Sequence, residues 1–194
     1  MNLYFDSEFT GLHKNTTLVS IGIVSDDNRF FYAELNDYDK AQIDEWLKDN
    51  VINNLRFSPP KNNEREYNVM SRHEQSNPIG NPMKNGYNIE LRGNSKEVSE
   101  ALKEWINQFE SVKIWSDCLA YDWVLFNHLF GHAFNLPKNI YYIPFDICTL
   151  FEIKGIDADI SREKFINNSI EGKKHNALYD AKVIKACYYK LIGM

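Results

Sequence analysis

The amino-acid sequence predicts an α/β fold in which a mixed sheet of five strands is flanked by helices. Three short runs rich in apolar and β-branched residues come first and are typical of strands: residues 2–5, 17–24 and 29–35. Two more strand-like runs, at 112–115 and 140–145, alternate with helical patterns. A group of strands followed by alternating strands and helices is typical of an α/β fold.

Four helices are predicted from the spacing of apolar residues and from capping signals. The first covers residues 38–55, where an apolar stripe at helical spacing comprises Ile43, Trp46, Leu47, Val51 and Leu55. Asn94 and Glu97 have the spacing of a capping box and open the second helix. The third runs from about 121 to 134 and the last from about 177 to 192.

The chain has 194 residues, which is enough for one well-packed domain and short for two. Residues 56–93 differ in character from the rest, because they combine four prolines with many polar residues and few apolar anchors. A loop much longer than about 12–15 residues is unusual inside a compact domain and is either functional or mobile. We therefore expect a single domain over residues 1–194 with a polar insertion at about 56–93, including a hairpin around 87–92.

Composition excludes several classes of protein. Hydrophobic residues make up 43% of the chain and charged residues 25%, as in ordinary globular proteins. No apolar run approaches the roughly 20 residues that a transmembrane helix needs, so no membrane contact is expected. The three cysteines contain no CxxC pair, which argues against a disulfide framework and a zinc knuckle and favours a cytoplasmic location. No export signal is visible at the N-terminus.

The formal net charge of the chain is −5, so it lacks the basic excess of a protein that coats nucleic acid. A polyanion would have to be held locally. Carboxylates that bind two divalent cations would form such a place, because the cations make their site attractive to phosphate. Composition permits this arrangement without requiring it.

Two segments place acidic residues at the ends of predicted strands. Asp6 and Glu8 alternate along the first strand, so both carboxylates point to the same face, which suits a shared cation. The alternative is a pair of exposed acids at a strand end. Asp122 falls in the first turn of a predicted helix, where the helix dipole favours a charged carboxylate even without a cation. Asp117 lies in the turn before this helix and is the better candidate for capping or for contact with solvent.

His175 and Asp180 form the third candidate pair, and their spacing constrains where each of them lies. Five positions on one continuous helix place two side chains about 140° apart, which is too divergent for one site. They converge if His175 lies on the loop before the last helix and Asp180 lies in its first turns. Small residues at Ala177 and Ala181 would let that helix approach the sheet and bring Asp180 to Asp6. Taken singly, each side chain is equally explained by a solvated or structural role.

In combination, these acids and the histidine form the set that a two-metal phosphodiester hydrolase requires. Residues 6–11 (DSEFTG), AYDW around Asp122 and residues 175–181 (HNALYDA) resemble the three exonuclease motifs of the DEDD superfamily, His subclass. The resemblance implies a ribonuclease H-like fold over nearly the whole chain. The FDSEF start and the long insertion are similar to the RNase T-like branch, which includes the polyadenylate-specific 3′-exoribonuclease AS.

The resemblance also implies a role for each candidate residue. Asp6, Glu8 and Asp180 would hold one Mg²⁺, and Asp6 would bridge to a second Mg²⁺ that Asp122 supports; Mn²⁺ is the alternative metal. His175 would accept the proton of the attacking water. The turn after the first strand would bind the terminal nucleotides through Phe9, Thr10, Gly11 and Leu12, although a turn with two core hydrophobes explains Phe9 equally well.

The expected function is therefore a metal-dependent 3′-5′ exonuclease that degrades single-stranded RNA by a two-metal mechanism. A 3′-5′ exodeoxyribonuclease or a proofreading-type exonuclease is the first alternative. A module that binds a 3′ end without cleaving it is the second, and it is weaker because the four acids and the histidine are all present. RNase T-like enzymes are often dimers, so the resemblance also allows a homodimer.

Overall fold

A computed structural model of the chain describes residues 1–57 and 87–194. Its centre is a six-stranded mixed sheet with the strand order β4-β3-β2-β1-β5-β6. β2 runs antiparallel to both β1 and β3, whereas the β3–β4, β1–β5 and β5–β6 pairs are parallel. The strands are β1 Asn2–Phe9, β2 Leu18–Ser25, β3 Phe30–Leu35, β4 Ile89–Gly93, β5 Lys113–Ser116 and β6 Phe145–Asp146.

Six α-helices accompany the sheet in the described part of the chain, and short 3₁₀ turns flank two of them. The helices are α1 Glu45–Asn50, α2 Ser95–Ile106, α3 Ala120–Leu129, α4 Ile147–Ile153, α5 Arg162–Phe165 and α6 Ala177–Ile192. None of the helices in residues 1–57 and 87–194 is long and apolar enough to cross a membrane.

Alternation along β1 divides the core between the two faces of the sheet. Leu3 and Phe5 are fully buried on one face, in the cluster that includes side chains of α2 and α3. Tyr4 is fully buried on the other face, in the cluster that includes side chains of α6. Each buried side chain of this size contributes roughly 1.5–3 kcal/mol relative to exposure, so both faces hold β1 in register. The central strand is thereby positioned to carry the candidate acids.

The α/β class and the mixed sheet are confirmed, but the predicted number of five strands is wrong. Residues 89–93 form the single strand β4, which pairs in parallel with β3, and not half of a hairpin. The predicted insertion at 56–93 therefore ends in the sheet itself, and residues 58–86 lie outside the described residues. The strand expected at 140–145 is reduced to β6, while Ile140 forms one isolated bridge with Val112.

The helix predictions differ in outcome. The capping box of Asn94 and Glu97 is confirmed at the start of α2, and the last helix is confirmed with the predicted bounds. The first helix is shorter than predicted because α1 covers only six residues, and Trp46 is 55% exposed instead of joining the apolar stripe. α4 and α5 were not predicted; they are too short for a periodic pattern to be visible.

Candidate active site

Asp6 and Glu8 lie near the end of β1 on the face that meets α6. Strand alternation directs both carboxylates to the same side, and the backbone of Asp6 pairs with Gly22 of β2. This register places a residue without a side chain directly beside the first candidate acid. Space for the approach of another element is therefore available on this face of the sheet.

α6 occupies that space with the backbone of its first turn. A Cβ atom on Gly22 would lie 2.2 Å from the backbone nitrogen of Leu178 and 2.3 Å from the carbonyl carbon of Ala177. Real Cβ atoms essentially never approach so closely, so only glycine fits at this position. Ala177 and Ala181 are both fully buried against the sheet. This close approach brings Asp180, in the first turn of α6, to the acids of β1.

Asp6, Glu8 and Asp180 each offer a carboxylate oxygen, and these oxygens lie within 4.8 Å of one another. Burial raises the pKa of all three groups, and their mutual repulsion raises the pKa of Asp6 and Glu8 further. The pKa of Glu8 rises to about 8 and that of Asp180 to about 7. A divalent cation would relieve this repulsion, and carboxylate oxygens are the ligands that Mg²⁺ and Mn²⁺ prefer. The donor set therefore fits a metal.

Asp122 lies beside these three acids and is bound to β1 through Ser7. The backbone N–H and the hydroxyl of Ser7 both donate to its Oδ1, at 3.0 and 2.5 Å. Burial raises the pKa of Asp122 to about 6, although the bonds from Ser7 favour the charged form. Its carboxylate is not part of the group of three, but its charge contributes to the raised pKa of Asp6 and Glu8. The structure thus places Asp122 at the edge of the acidic cluster.

His175 lies on the loop before α6, which resolves its divergence from Asp180. Its backbone adopts a left-handed conformation with φ of 61°, and Asn176 then caps the helix. The Nδ1 atom of His175 is 4.0 Å from Oε2 of Glu8, and the ring packs edge-to-face against Trp46. Burial and the charge of Lys174 lower the pKa of His175 below its ordinary value. A neutral imidazole that can accept a proton therefore stands beside the acids.

The four residues after the acidic pair differ in what they present to solvent. Phe9 is half-buried and stacks on Tyr121, with ring centroids 5.6 Å apart. Thr10 is buried, and its hydroxyl donates to Oε1 of Gln42 at 2.5 Å. Gly11 has a φ of 155°, in the region that favours glycine, and Leu12 is 77% exposed. Thr10 thus holds the turn in shape, while Leu12 projects outward from it.

Asp117 was predicted to cap a helix or to contact solvent, but it forms an ion pair with Arg162 and does not cap α3. Its carboxylate accepts two bonds from the guanidinium of Arg162, at 2.7 and 2.8 Å, and one from Sγ of Cys148 at 3.0 Å. Asp146 caps α4 nearby by accepting the backbone N–H of Cys148. Asp117, Asp146 and Cys148 lie close enough to hold a cation, but Arg162 already supplies the positive charge there.

Three residues that shape the site were not singled out from the sequence. Gly22 lies inside a run of β-branched residues, and a glycine within a strand is a known signal of close backbone approach. Ser7 carries no signal of its own, because a serine between two acids is equally typical of an exposed strand. Trp46 fitted an apolar stripe, and only the packing of α1 shows that it contacts His175.

Sequence comparison matches nearly the whole chain to a known family. The model of the Rv2179c-like family, described as the 3′-5′ exoribonuclease Rv2179c-like domain, matches residues 1–191. The 3′-5′ exoribonuclease Rv2179c of Mycobacterium tuberculosis strain ATCC 25618 / H37Rv is 24% identical over 182 residues, which cover 94% of this chain and 88% of that protein. The 3′-5′ exoribonuclease MT2234.1 of strain CDC 1551 / Oshkosh matches to the same extent.

Structural comparison supports the fold. The structure of S. pombe Pop2p in its Mg²⁺- and Mn²⁺-bound form covers 98% of this chain, with 82% of that chain aligned and a TM-score of 0.52. The sequence identity is 14%, so the likeness concerns the arrangement of helices and strands and not individual residues. The mixed sheet flanked by helices is therefore shared with the Pop2p structure.

Proposed function

Because the chain belongs to the Rv2179c-like 3′-5′ exoribonuclease domain family and is thus a 3′-5′ exonuclease, we propose that it degrades single-stranded RNA by a two-metal mechanism. The observation that carries the proposal is the convergence of Asp6, Glu8 and Asp180, whose carboxylate oxygens lie within 4.8 Å of one another. Three buried carboxylates at this separation repel one another when they are ionised, and bound cations would relieve that repulsion. We further propose that the chain belongs to the His subclass of the DEDD superfamily, within the RNase T-like branch, and the resemblance of its three motifs supports this.

Asp6, Glu8 and Asp180 would hold one Mg²⁺ or Mn²⁺, and Asp6 with Asp122 would hold the second. When bound, the two cations supply positive charge at the scissile phosphate and favour ionisation of water. Ser7 keeps the Asp122 carboxylate fixed through two hydrogen bonds, so this acid does not need to reorganise when the site is loaded. The raised pKa values of Glu8 and Asp180 mean that loading displaces protons from the cluster.

His175 accepts the proton of the attacking water. Its lowered pKa keeps the imidazole neutral near pH 7, and a neutral ring has a free nitrogen lone pair for this purpose. Its place on the loop puts the ring at the rim of the cluster, 4.0 Å from Glu8 and 31% exposed. The ring is therefore close to the acids and accessible to solvent, as a general base must be.

The turn after β1 would receive the 3′-terminal nucleotides. Leu12 is exposed and can wedge against a base, and the backbone of Gly11 permits close approach to the strand. Phe9 lines the turn through its stacking on Tyr121. Thr10 contributes by holding the turn in shape through its hydrogen bond to Gln42.

Incubation of the purified protein with 3′- and 5′-labelled RNA and DNA oligonucleotides tests this proposal. We expect 5′-labelled RNA to shorten one nucleotide at a time with Mg²⁺ or Mn²⁺ and to stay intact with EDTA. The Asp180→Asn variant should be inactive under the same conditions. Equal or faster shortening of DNA would identify a deoxyribonuclease, and activity in EDTA would refute the two-metal mechanism.

Two further expectations remain predictions. A homodimer would appear as a doubled mass in size-exclusion chromatography with light scattering. A cytoplasmic location would appear as co-fractionation with cytoplasmic markers after cell lysis.

A further inference from the structure

A surface pocket of about 240 Å³ lies between the segment that follows α1 and the start of α6. One wall comes from Asn54 and Arg56, and the other from Lys173 and from Tyr179 and Lys182 of α6. None of these residues belongs to the acidic cluster. Lys182 follows Asp180 by two positions, so the two side chains project about 200° apart around the helix. The pocket therefore opens on a different side of α6 from the acids.

The two walls are held together by hydrogen bonds. The side-chain amide of Asn176 donates to the carbonyl oxygen of Asn54 at 3.0 Å, and the amide of Asn54 donates to the carbonyl oxygen of Lys174 at 3.1 Å. Gly172 packs so tightly on Tyr179 that a Cβ atom there would lie 2.2 Å from its ring. The pocket is thus formed by packed backbone and not only by long side chains at the surface.

Positive charge dominates the lining. Arg56, Lys173 and Lys182 contribute three cations, and Glu171 contributes one acid. Glu90 stands nearby but forms an ion pair with Arg56. Within residues 1–57 and 87–194, the ammonium group of Lys182 forms no hydrogen bond or ion pair and only faces the Phe30 ring at 6.0 Å. Desolvation and the charge of Arg56 lower the pKa of Lys182, whereas the charge of Glu90 raises it, so Lys182 is left without a direct partner for its ammonium group in that part of the chain.

An anion that bears several acceptor oxygens would complete this arrangement. The pocket offers many hydrogen-bond donors: the guanidinium group of Arg56, the ammonium groups of Lys173 and Lys182, and the amide groups of the loop before α6. A carboxylate cannot accept from all of them, whereas a phosphate can. The pocket is also joined to the acidic site by residues 173–176, which carry Lys173 at one end and the cap of α6 at the other.

We propose that the pocket lined by Arg56, Lys173 and Lys182 binds a phosphate group outside the metal site. This inference rests on the proposed function, because it assumes an RNA strand in the neighbouring acidic cluster. A chain with a formal net charge of −5 needs local positive charge to hold a polyanion, and this pocket supplies it next to His175. The source of the phosphate is either the strand backbone or a free phosphate such as that of a released nucleotide.

Binding of a fluorescently labelled single-stranded RNA in EDTA, followed by anisotropy over a series of salt concentrations, tests the proposal without requiring hydrolysis. We expect Lys182→Gln to weaken binding about tenfold, as the loss of one charge-assisted contact predicts. The slope of log Kd against log salt should fall by about 0.7 for that lost contact. Lys182→Arg should restore binding. The matched control is Lys138→Gln, which removes an exposed lysine from a segment that does not line the pocket.

A second arm measures the melting temperature with inorganic phosphate and with a nucleoside monophosphate. Weaker RNA binding by Lys182→Gln without any thermal response to phosphate identifies the strand backbone as the ligand. A phosphate-dependent rise in melting temperature that Lys182→Gln abolishes, with RNA binding unchanged, identifies a free phosphate. If neither measurement distinguishes Lys182→Gln from the wild type, the pocket proposal is overturned. Metal-dependent shortening of RNA would persist in that case, so the proposed function is tested separately.

Discussion

Replacing Gly22 by alanine adds one methyl group at the point where α6 meets the sheet. The new Cβ would lie 2.2–2.4 Å from backbone atoms of Ala177 and Leu178, whereas ordinary contact begins at 3.4 Å. The first turn of α6 therefore has to move by about 1 Å to restore ordinary contact distances. No side-chain rotation relieves the overlap, because all three clashing atoms belong to the backbone.

This displacement carries Asp180 and the preceding His175 away from Asp6. A misplacement of about 1 Å costs roughly 10²-fold in catalytic rate, and overpacking of this kind costs about 1–3 kcal/mol in the free energy of unfolding. We expect Gly22→Ala to lose about 10²-fold in kcat and to melt several degrees lower than the wild type. Steady-state assays on a labelled oligonucleotide measure the first effect, and thermal unfolding measures the second.

Gly193→Ala is the control, because a Cβ at Gly193 has its nearest neighbour at an ordinary 3.4 Å, beyond the other end of α6. This variant should keep wild-type activity. Circular dichroism shows whether Gly22→Ala is folded before its activity is compared. A folded Gly22→Ala enzyme with kcat within threefold of the wild type would refute the argument that close approach of α6 assembles the site.

Three further predictions concern the proposed general base, the acidic cluster and the ion pair of Asp117. His175→Ala should retain metal binding by calorimetry but lose about 10²–10⁴-fold in kcat, since a general base contributes that much; unchanged turnover at neutral pH would exclude the base role. In EDTA, the wild type should lose stability as pH rises from 4 through 8, because the raised pKa values of Glu8 and Asp180 make their ionisation unfavourable in the folded state. Asp180→Asn should reduce this loss, and an equally steep decline in the melting temperature would contradict the assignment. Asp117→Ala should lower the free energy of unfolding by about 1–3 kcal/mol, because it leaves the partly buried Arg162 without its ion-pair partner; urea denaturation measures this loss, and an unchanged midpoint would contradict it.

The metal-free pH prediction follows from the sign of the linkage. A carboxyl group whose pKa is higher in the folded protein binds more protons there than in the unfolded chain. It therefore costs nothing below its unfolded pKa and destabilises the fold increasingly as the pH rises through its folded pKa. Saturating Mg²⁺ should reverse the trend, because the cation favours the ionised forms.

Local patterns in the sequence predicted much of the fold. Strand runs, the capping box at Asn94 and the bounds of α6 depend on neighbouring residues, which determine local backbone preference and capping. The strand at 89–93 was mistaken for half of a hairpin because its partner β3 lies far away in the chain and pairs in parallel. Parallel pairing leaves no turn signal in the sequence.

The sequence by itself determined which side chains are available: four acids and a histidine, in motifs that resemble those of a nuclease superfamily. It also determined that Asp6 and Glu8 share a face, because strand alternation is a local property. Only the tertiary structure decided that α6 lies against Gly22 and that Ser7 binds Asp122. It likewise placed Trp46 at the site and Asp117 with Arg162. These contacts join residues far apart in the chain. Their geometry depends on how the helices pack on the sheet, and a local sequence pattern does not determine that packing.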